Sequence, residues 1–348
     1  MLEIAIIKIF FITVLSFIFA IVLTPLLTHF LYKYKLGKRI RSETSAPIMS
    51  KLHQAKSGTP TMGGILVWFT VLTLALVINT LWHLSDWPAL QDLNFLTRSE
   101  TLLPLGALVF SALIGLFDDF LNIKGLGTAG GGLNIKHRLI AYTLIAIAGA
   151  YWFFYKLEWD IIHIPFWGNF SIGIWYIPIF IFVIVATAFS VNETDGLDGL
   201  AGGGLLAAFT AFGVIAFVQG KYDLAAFCGS IVGALLAFLW FNINPARFFM
   251  GDTGAMSLGV TLGIVAMLTN SILLLPIIGF LFVLETLSVI LQVSSKKFLG
   301  RKIFLSTPIH HHFEAIGWPE PKIVMRFWII SAVMAVIGLI IFLMDYLF

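Results

Sequence analysis

The chain is short of charge and of cysteine, and both shortages restrict what it can be. Only 11% of its 348 residues are Asp, Glu, Lys or Arg, whereas 59% are hydrophobic. Such a composition excludes an ordinary soluble domain. The single cysteine, Cys228, excludes an internal disulfide framework and a zinc site built from cysteines. The net charge of +3 is small and gives no reason to expect nucleic acid as a partner.

A separate soluble domain has no room in this chain, because apolar runs recur along its whole length. About ten runs are long enough to cross the roughly 30 Å of bilayer hydrocarbon. They cover residues 4–31, 62–81, 102–120, 139–155, 174–191, 200–218, 224–241, 255–268, 272–293 and 324–343. We therefore expect an all-α polytopic membrane protein that forms one domain over residues 1–348. The first run is too long for a signal peptide and is expected to remain as a helix.

Basic residues accumulate on one side of this predicted topology. That side includes Lys33, Lys35, Lys38, Arg39, Arg41, Lys51, Lys56, Lys124, Lys136, Arg138, Arg247, Lys296, Lys297, Arg301, Lys302, Lys322 and Arg326. The other side holds only Lys8, Arg98, Lys156 and Lys221. By the positive-inside rule the first side is cytoplasmic, which puts both termini in the periplasm. On that outer side, residues 158–171 alternate around Gly168–Asn169 and predict a small hairpin.

Several carboxylates stand where apolar runs end on the predicted cytoplasmic side. Asp118 and Asp119 close the third run, and adjacent helical residues point about 100° apart, so each could face a different partner. A solvated helix end is the better explanation of an isolated pair, so the pair alone is weak evidence. Because carboxylates are costly near hydrocarbon, their repetition on one face favours a metal-dependent reaction at the membrane surface.

The segment from Asn192 to Gly199 concentrates three acidic groups before the sixth run. Asp195 and Asp198 are spaced to share a helical face, and the following glycines allow a ligand to approach a helix start, where free N–H groups favour anions. A capped turn between helices is the alternative. Three acids in seven residues at membrane depth favour a functional site.

Asp252 begins the eighth run, within Phe249-Met-Gly-Asp-Thr-Gly. Its structural explanation is a helix N-cap. It would also lie beside the other carboxylates, and Mg²⁺ takes oxygen ligands from one or two carboxylates plus substrate phosphates. The sequence therefore predicts Mg²⁺ as a cofactor.

Two further polar strings lie on the same side. His310, His311 and His312 are consecutive, so they cannot all converge on one metal from a regular helix, and contacts to phosphate or sugar are favoured over zinc or a chance cluster. Lys56 precedes Gly-Thr-Pro-Thr-Met-Gly-Gly, which could simply start a closely packed helix. Lys56 would still meet a negatively charged substrate. Glu285, inside the ninth run, is either functional or directed toward a wet interior.

Together these strings resemble the phospho-N-acetylmuramoyl-pentapeptide transferases, a branch of the polyprenyl-phosphate N-acetylhexosamine-1-phosphate transferase family. Five motifs occur here in the family's order over nearly the whole chain. The resemblance implies ten transmembrane helices in the bacterial inner membrane and a cytoplasmic active site. It also implies Mg²⁺-dependent transfer of phospho-MurNAc-pentapeptide from its UDP-linked donor to undecaprenyl phosphate, giving lipid I and UMP. A homodimer is one assembly that the resemblance leaves open.

The resemblance also assigns roles to residues. Asp252 matches the metal ligand, Asp118 and Asp119 match the pair that handles the lipid phosphate, and His310, His311 and His312 match the family's catalytic histidines. The nucleoside pocket corresponds to Asn192, Asp195, Gly196, Leu197, Asp198, Phe249 and Gln292, with Phe249 as the uracil platform. Lys56 and Asn242 fall among the polar active-site positions. The segment after Asp119 is glycine-rich and has fewer basic residues than the family pattern, so the assignment of Lys124 and Lys136 to phosphate binding rests on position alone.

Two rival functions follow from the same features. A sister transferase that moves GlcNAc-1-phosphate is the nearer, and the string from Pro308 to Glu314 resembles the muramoyl-type loop instead. A secondary transporter would also use acids in a membrane, but such proteins place them near the bilayer midplane, whereas these acids stand at helix ends on one side.

Overall fold

Helices dominate the computed structural model, which describes residues 2–37, 56, 58–85, 88–97, 100–127 and 131–347. They are α1 (Leu2–Lys33), α2 (Ile65–Leu84), α3 (Pro88–Leu93), α4 (Leu102–Lys124), α5 (Ile135–Tyr151), α6 (Tyr176–Thr194), α7 (Leu200–Val218), α8 (Tyr222–Asn242), α9 (Gly251–Leu268), α10 (Leu275–Ile278), α11 (Phe280–Leu299), α12 (Ile309–Ala315) and α13 (Glu320–Leu347). Within the described ranges, nine helices are long and apolar enough to cross a membrane. The prediction of an all-α polytopic membrane protein is confirmed.

The ninth predicted run is the one that the structure divides. Residues 275–278 form the short helix α10, and the backbone N–H of Gly279 then donates to the carbonyl of Leu275 over 2.7 Å. The chain continues as α11, a tenth long helix that runs past the predicted end at Val293 and carries Glu285, Lys296 and Lys297. One predicted span is therefore a short helix followed by a long one.

The centre of the bundle is α9, in which every residue is buried. Small residues recur at intervals of four along it, at Gly251, Ala255, Gly259 and Gly263. Such spacing lets neighbouring helices approach closely in a membrane. A Cβ added at Gly259 would lie 2.8 Å from Cα of Ala188 on α6. This packing holds the start of α9, and with it Asp252, in the middle of one end of the bundle.

The opposite end carries a two-stranded antiparallel sheet, β1 (Ile161–Ile164) and β2 (Gly168–Ser171). The hairpin is confirmed, but its turn is not at Gly168–Asn169 as the sequence predicted. Ile164 pairs with Gly168, so the turn consists of residues 165–167, with Phe166 at a φ of 67°. The alternation of apolar residues located the two strands, whereas the turn uses no glycine at its centre.

Residues close to both ends of the chain lie near this hairpin, at what we call the hairpin end. Nε2 of His163 in β1 is 2.5 Å from Asp345 in α13. Nζ of Lys8 in α1 is 2.5 Å from Asp223 at the start of α8 and donates to the carbonyl of Asn94. Residues near both ends of the chain thus lie at the same end of the bundle, as expected if both termini are on one side of the membrane.

Several residues used to orient the chain lie outside the described residues. They are Lys38, Arg39, Arg41, Lys51 and Arg98, and residues 128–130 of the glycine-rich segment are outside as well. The side of the membrane that each end faces stays a prediction.

Candidate active site

Asp118 and Asp119 are buried together near the last turn of α4, at the end opposite the hairpin, which we call the carboxylate end. Their side chains diverge, as adjacent positions on a helix should. Asp119 accepts hydrogen bonds from the backbone N–H of Thr253 over 3.0 Å and from the hydroxyl of Thr61 over 3.2 Å. Asp118 turns the other way and accepts a hydrogen bond from the backbone N–H of Leu133. Asp119 therefore ties α4 to α9, while Asp118 faces α5.

Arg138 in the first turns of α5 links the polar residues of three other helices. Its Nε lies 2.7 Å from Oδ2 of Asp118, and one terminal nitrogen lies 3.0 Å from Oδ2 of Asp252. The other terminal nitrogen donates to the side-chain oxygen of Asn192 over 2.9 Å, and Asn192 donates in turn to Asp252 over 2.6 Å. We call Asp118, Arg138, Asn192 and Asp252 the Arg138 cluster.

The sequence counted Arg138 among the basic residues but did not place it in the site. Lys136 was chosen instead, and the structure leaves Lys136 exposed. Two residues apart on a helix, side chains point to nearly opposite sides, so only one of them can enter the cluster. Asn134 caps α5 by accepting from the backbone N–H of His137, which fixes where the helix begins. Lys124 is also exposed, with its Nζ over the ring of Phe120.

The donor chemistry of the Arg138 cluster suits a hard cation. Two buried carboxylates, Asp118 and Asp252, converge on one positive group, and both offer only oxygen atoms. Mg²⁺ is bound by one or two carboxylates together with phosphate oxygens and water. Among the described residues no group of three or more His, Cys, Asp or Glu side chains is arranged to hold a metal by itself. The residues therefore fit Mg²⁺ as an ion shared with a phosphate substrate rather than as a closed structural site.

Lys56 belongs to a second ionic group at the same end. Its Nζ lies 2.6 Å from Oδ1 of Asp198 and 2.5 Å from Oε1 of Glu320, at the start of α13. The side-chain amide of Asn244 donates to both carboxylates, over 3.0 Å and 3.1 Å. We call Lys56, Asp198, Asn244 and Glu320 the Lys56 cluster. Glu320 was not selected by the sequence analysis. The only feature that could have pointed to it is its position as an acidic residue beside a basic loop.

The short segment from Phe249 to Asp252 connects the two clusters. Nζ of Lys56 lies 5.8 Å from the centre of the Phe249 ring, while Asp252 belongs to the Arg138 cluster. Between them, the backbone N–H of Gly251 donates to Asp195 over 3.2 Å. Gly251 has a φ of 75°, and a Cβ there would lie 2.6 Å from Oδ2 of Asp119, so this position requires glycine.

The three histidines lie on α12 and have three different partners. Nδ1 of His310 is 2.9 Å from Glu285, Nδ1 of His311 is 2.6 Å from Glu314, and Nδ1 of His312 accepts from the backbone N–H of Leu305. Each imidazole is thus engaged by a different group of the protein.

Glu285 is thereby explained as the buried partner of His310. Burial alone would lower the pKa of His310, but the nearby carboxylates of Glu285, Glu314 and Glu193 outweigh it, so the pKa is raised. The imidazole packs so closely on Gly196 that a Cβ added there would overlap its Nε2. His310 therefore holds the loop of Asp195 and Asp198 against α11.

Three other predicted pocket residues act as ties in the structure. The amide of Asn242 accepts from the backbone N–H of Gly199 and donates to the carbonyl of Phe248. Gln292 bonds the backbone of residues 303–304 through both ends of its amide. Leu197 is buried in an apolar cluster with Ile309 and neighbours from α13. Hydrogen bonds and packing thus engage these residues within the protein itself.

Sequence comparison relates this chain to known proteins. The family model described as glycosyl transferase family 4 matches residues 101–270, and signature 1 of the phospho-N-acetylmuramoyl-pentapeptide-transferases matches residues 56–66, which contain Lys56. A phospho-N-acetylmuramoyl-pentapeptide-transferase of Geobacillus sp. (strain WCH70) is 42% identical over 330 residues, which cover 94% of this chain and 95% of the relative.

Two further relatives carry the same name. The protein of Bacillus subtilis (strain 168) is 39% identical and matches 95% of this chain and 97% of its own length. The protein of Chloroflexus aggregans (strain MD-66 / DSM 9485) is 39% identical and matches 93% of this chain and 86% of its own length. Identity at this level across almost the full length of each protein means that the chain belongs to the phospho-N-acetylmuramoyl-pentapeptide-transferase family.

Proposed function

We propose that this chain transfers phospho-MurNAc-pentapeptide from its UDP-linked donor to undecaprenyl phosphate, which gives lipid I and UMP, a step of peptidoglycan synthesis. In the net reaction a phosphate oxygen of the lipid forms a new bond to the sugar-linked phosphorus, and the bond from that phosphorus to UMP breaks. The proposed setting is the bacterial inner membrane, with the carboxylate end toward the cytoplasm, where nucleotide-linked sugars are available.

The observation that carries this proposal is the meeting of the Arg138 and Lys56 clusters at one end of a membrane-spanning bundle. Each cluster supplies a cation beside carboxylates at the helix ends, where a lipid phosphate would be bound. Both substrates are phosphate esters, and their reaction requires negative charge to be neutralised while two phosphates are aligned. A transporter would have no need of such a surface arrangement.

The chain's own residues divide the work by charge and position. We assign Lys56 and Phe249 to the uridine-linked side, because a cation and an aromatic ring face each other there. We assign Arg138 and Asp118 to the lipid phosphate. A phosphate monoester has a second pKa near 6, so the lipid phosphate is already largely dianionic at neutral pH. Asp118 therefore positions the nucleophile, rather than having to deprotonate it.

Mg²⁺ is part of the proposal as the cofactor. Asp252 would hold the ion, with Asp118 as the second carboxylate in reach of the same cation. When bound, the ion would supply positive charge for the diphosphate of the donor. Asn192, which already donates to Asp252, would keep that carboxylate directed into the site.

The test uses purified enzyme with undecaprenyl phosphate and one of two donors, UDP-MurNAc-pentapeptide or UDP-GlcNAc. We expect UMP release and a lipid-linked product with the muramoyl donor only, and dependence of that release on added Mg²⁺. Release with UDP-GlcNAc alone would replace the proposal by the sister reaction. If the protein binds both donors but releases UMP from neither, the proposed transfer reaction is wrong.

A further inference from the structure

We propose that a groove at the carboxylate end, between α1 and the end of α8, binds the headgroup of an anionic phospholipid. The groove has a volume of about 740 Å³, which falls within the range of small-molecule sites. Its lining residues are Thr24, Pro25, Thr28, His29, Tyr32, Lys33, Phe241 and Arg247. This site lies outside the two clusters described above and does not depend on the transfer reaction.

The charge of the groove selects the ligand. Lys33 and Arg247 are exposed and face the same space, beside His29, and within the described part of the chain the lining has no Asp or Glu. A guanidinium and an ammonium close together bind phosphate, the guanidinium through its fork of N–H groups. Basic pockets at a membrane surface attract the headgroups of anionic lipids.

Hydrogen bonds and a ring contact hold the residues that line the groove in place. The hydroxyl of Tyr32 donates to the carbonyl of Arg247 over 2.9 Å, and the guanidinium of Arg247 lies 5.8 Å from the centre of the Phe241 ring. Thr24 and Thr28 form a buried wall, and their hydroxyls donate to carbonyls one turn earlier in α1. Their hydrogen-bonding needs are met, so the cations remain the groups that a ligand would satisfy.

The surroundings favour a lipid over a soluble phosphate. Val22, Leu26 and Phe30 repeat every four residues on α1 and are 71%, 68% and 50% exposed. On a membrane-spanning helix, this apolar stripe would contact acyl chains in the same leaflet. A phospholipid can occupy both surfaces at once, with its headgroup in the groove and its chains along α1, whereas inorganic phosphate can use only the cations.

The groove lies next to the loop that carries Asn244 and Phe249, on the side away from the Lys56 cluster. The backbone N–H of Ala246 donates to Asp198 of the Lys56 cluster, while the next residue, Arg247, faces the groove. A bound headgroup would therefore contact the back of the same loop that carries Asn244 and Phe249. This position gives the surrounding lipid a direct contact with the loop that bears the site.

The experiment counts lipids bound to the full chain by native mass spectrometry during titration with phosphatidylglycerol or phosphatidylcholine. We expect preferential binding of phosphatidylglycerol. The variant Lys33→Gln/Arg247→Gln should lose about 25-fold in affinity, at roughly fivefold per charge. Lys296→Gln/Lys297→Gln is the matched control, because it removes two exposed cations from the same end and should retain the affinity.

Three results would overturn the proposal. They are equal affinity in the groove variant and in wild type, an equal loss in the control variant, and saturation of the site by inorganic phosphate with no preference between the two lipids. If a second copy of the chain covers the groove instead, the groove variant will change the oligomeric state without changing lipid binding. Should the double variant fail to fold, Lys33→Gln alone alters only an exposed side chain and is expected to lose about fivefold.

Discussion

The Arg138 and Lys56 clusters contain the same kinds of chemical group, but their carboxylates are held in different ways. Each places one cation between two carboxylates and adds an asparagine amide, which donates to Asp252 alone in the Arg138 cluster and to both acids in the Lys56 cluster. Opposite charges that share a buried site are costly to bring together and far more costly to separate. Two such sets at one end of a bundle therefore indicate a function that requires them.

The difference lies in how the carboxylates are held. In the Lys56 cluster, Asp198 accepts from the backbone N–H of Ala246, and Glu320 accepts from the backbone N–H of Asp198. Within the described residues, the carboxylate of Asp252 in the Arg138 cluster accepts only from side chains, those of Arg138 and Asn192. Side chains can rotate away when a ligand enters, whereas a backbone N–H at a loop junction cannot. Asp252 is thus the carboxylate suited to exchange partners, whereas Asp118, which accepts from the backbone N–H of Leu133, and the carboxylates of the Lys56 cluster are suited to hold their positions.

Among the changes predicted here, the substitution Asp252→Asn should have the largest effect on activity. It keeps the size of the side chain and removes the charge that we assign to the metal, so UMP release should fall on the order of a hundredfold to a thousandfold. A matched control is Asp92→Asn, an exposed carboxylate of α3 away from the site, which should leave turnover unchanged. If folded Asp252→Asn protein turns over at a near-normal rate, Asp252 does not bind the metal.

Removing the cation from each cluster should separate their structural roles. In Arg138→Gln, Asp118 and Asp252 face each other without a positive group, and we expect a loss of about 3 kcal/mol in the free energy of unfolding. In Lys56→Gln, Asp198 and Glu320 keep their backbone and Asn244 partners, so the loss should be about 1 kcal/mol. Denaturant unfolding of both variants in detergent measures the difference. Equal losses would mean that backbone support does not distinguish the clusters.

The substitution Glu320→Gln tests the role of Glu320, the member of the Lys56 cluster that the sequence analysis did not select. Because Glu320 contacts Lys56, Asn244 and the backbone of Asp198, its neutral form should leave Lys56 less well placed for the donor. We expect the KM for the donor to rise by about fivefold to tenfold, with kcat changed by less than about twofold. Glu320→Asp should recover part of the effect. A fall in kcat with an unchanged KM would show that Glu320 does not act through donor binding.

The smallest expected effect is the pH dependence of the pair between His310 and Glu285. Because the pKa of His310 is raised in the fold, its contribution to stability is fully present below about pH 6.5, the value for a free histidine, and is lost as pH rises through the folded pKa. Glu285→Gln should therefore lower the unfolding temperature by about 2–4 °C at pH 6, and by less at pH 9.

Thermal unfolding at a fixed scan rate measures this difference at the two pH values. Glu3→Gln, which changes an exposed carboxylate, is the control and should show no such trend. A gap between wild type and Glu285→Gln that widens toward high pH would contradict the sign of the effect.

Features that depend on a single segment of the chain are those that the sequence predicted best. The apolar runs located the helices, because a span of given length must be apolar wherever it packs. The adjacency of Asp118 and Asp119 correctly predicted that they would face different partners. Gly168 was a poor guide to the hairpin turn, since Phe166 adopts the left-handed conformation there.

Arg138 and Glu320 were missed for a common reason. Arg138 meets Asp252, 114 residues away, and Glu320 meets Lys56, 264 residues away. Local spacing cannot identify partners at that separation. It also could not choose between Lys136 and Arg138, because the choice depends on how α5 is rotated against α4 and α9. Gln292 and Asn242 were recognised as polar positions, but only their contacts reveal that they tie loops together.

The amino-acid sequence by itself determined that this protein lies in a membrane, where its helices are, and which acidic and basic residues stand at their ends. These features depend on local composition and on the cost of charge in hydrocarbon, which act on every segment separately. Only the tertiary structure decided which cation meets which carboxylates and which of them are fixed by backbone N–H groups. Those pairings arise from the rotation and close packing of helices around α9, and no single segment contains that information.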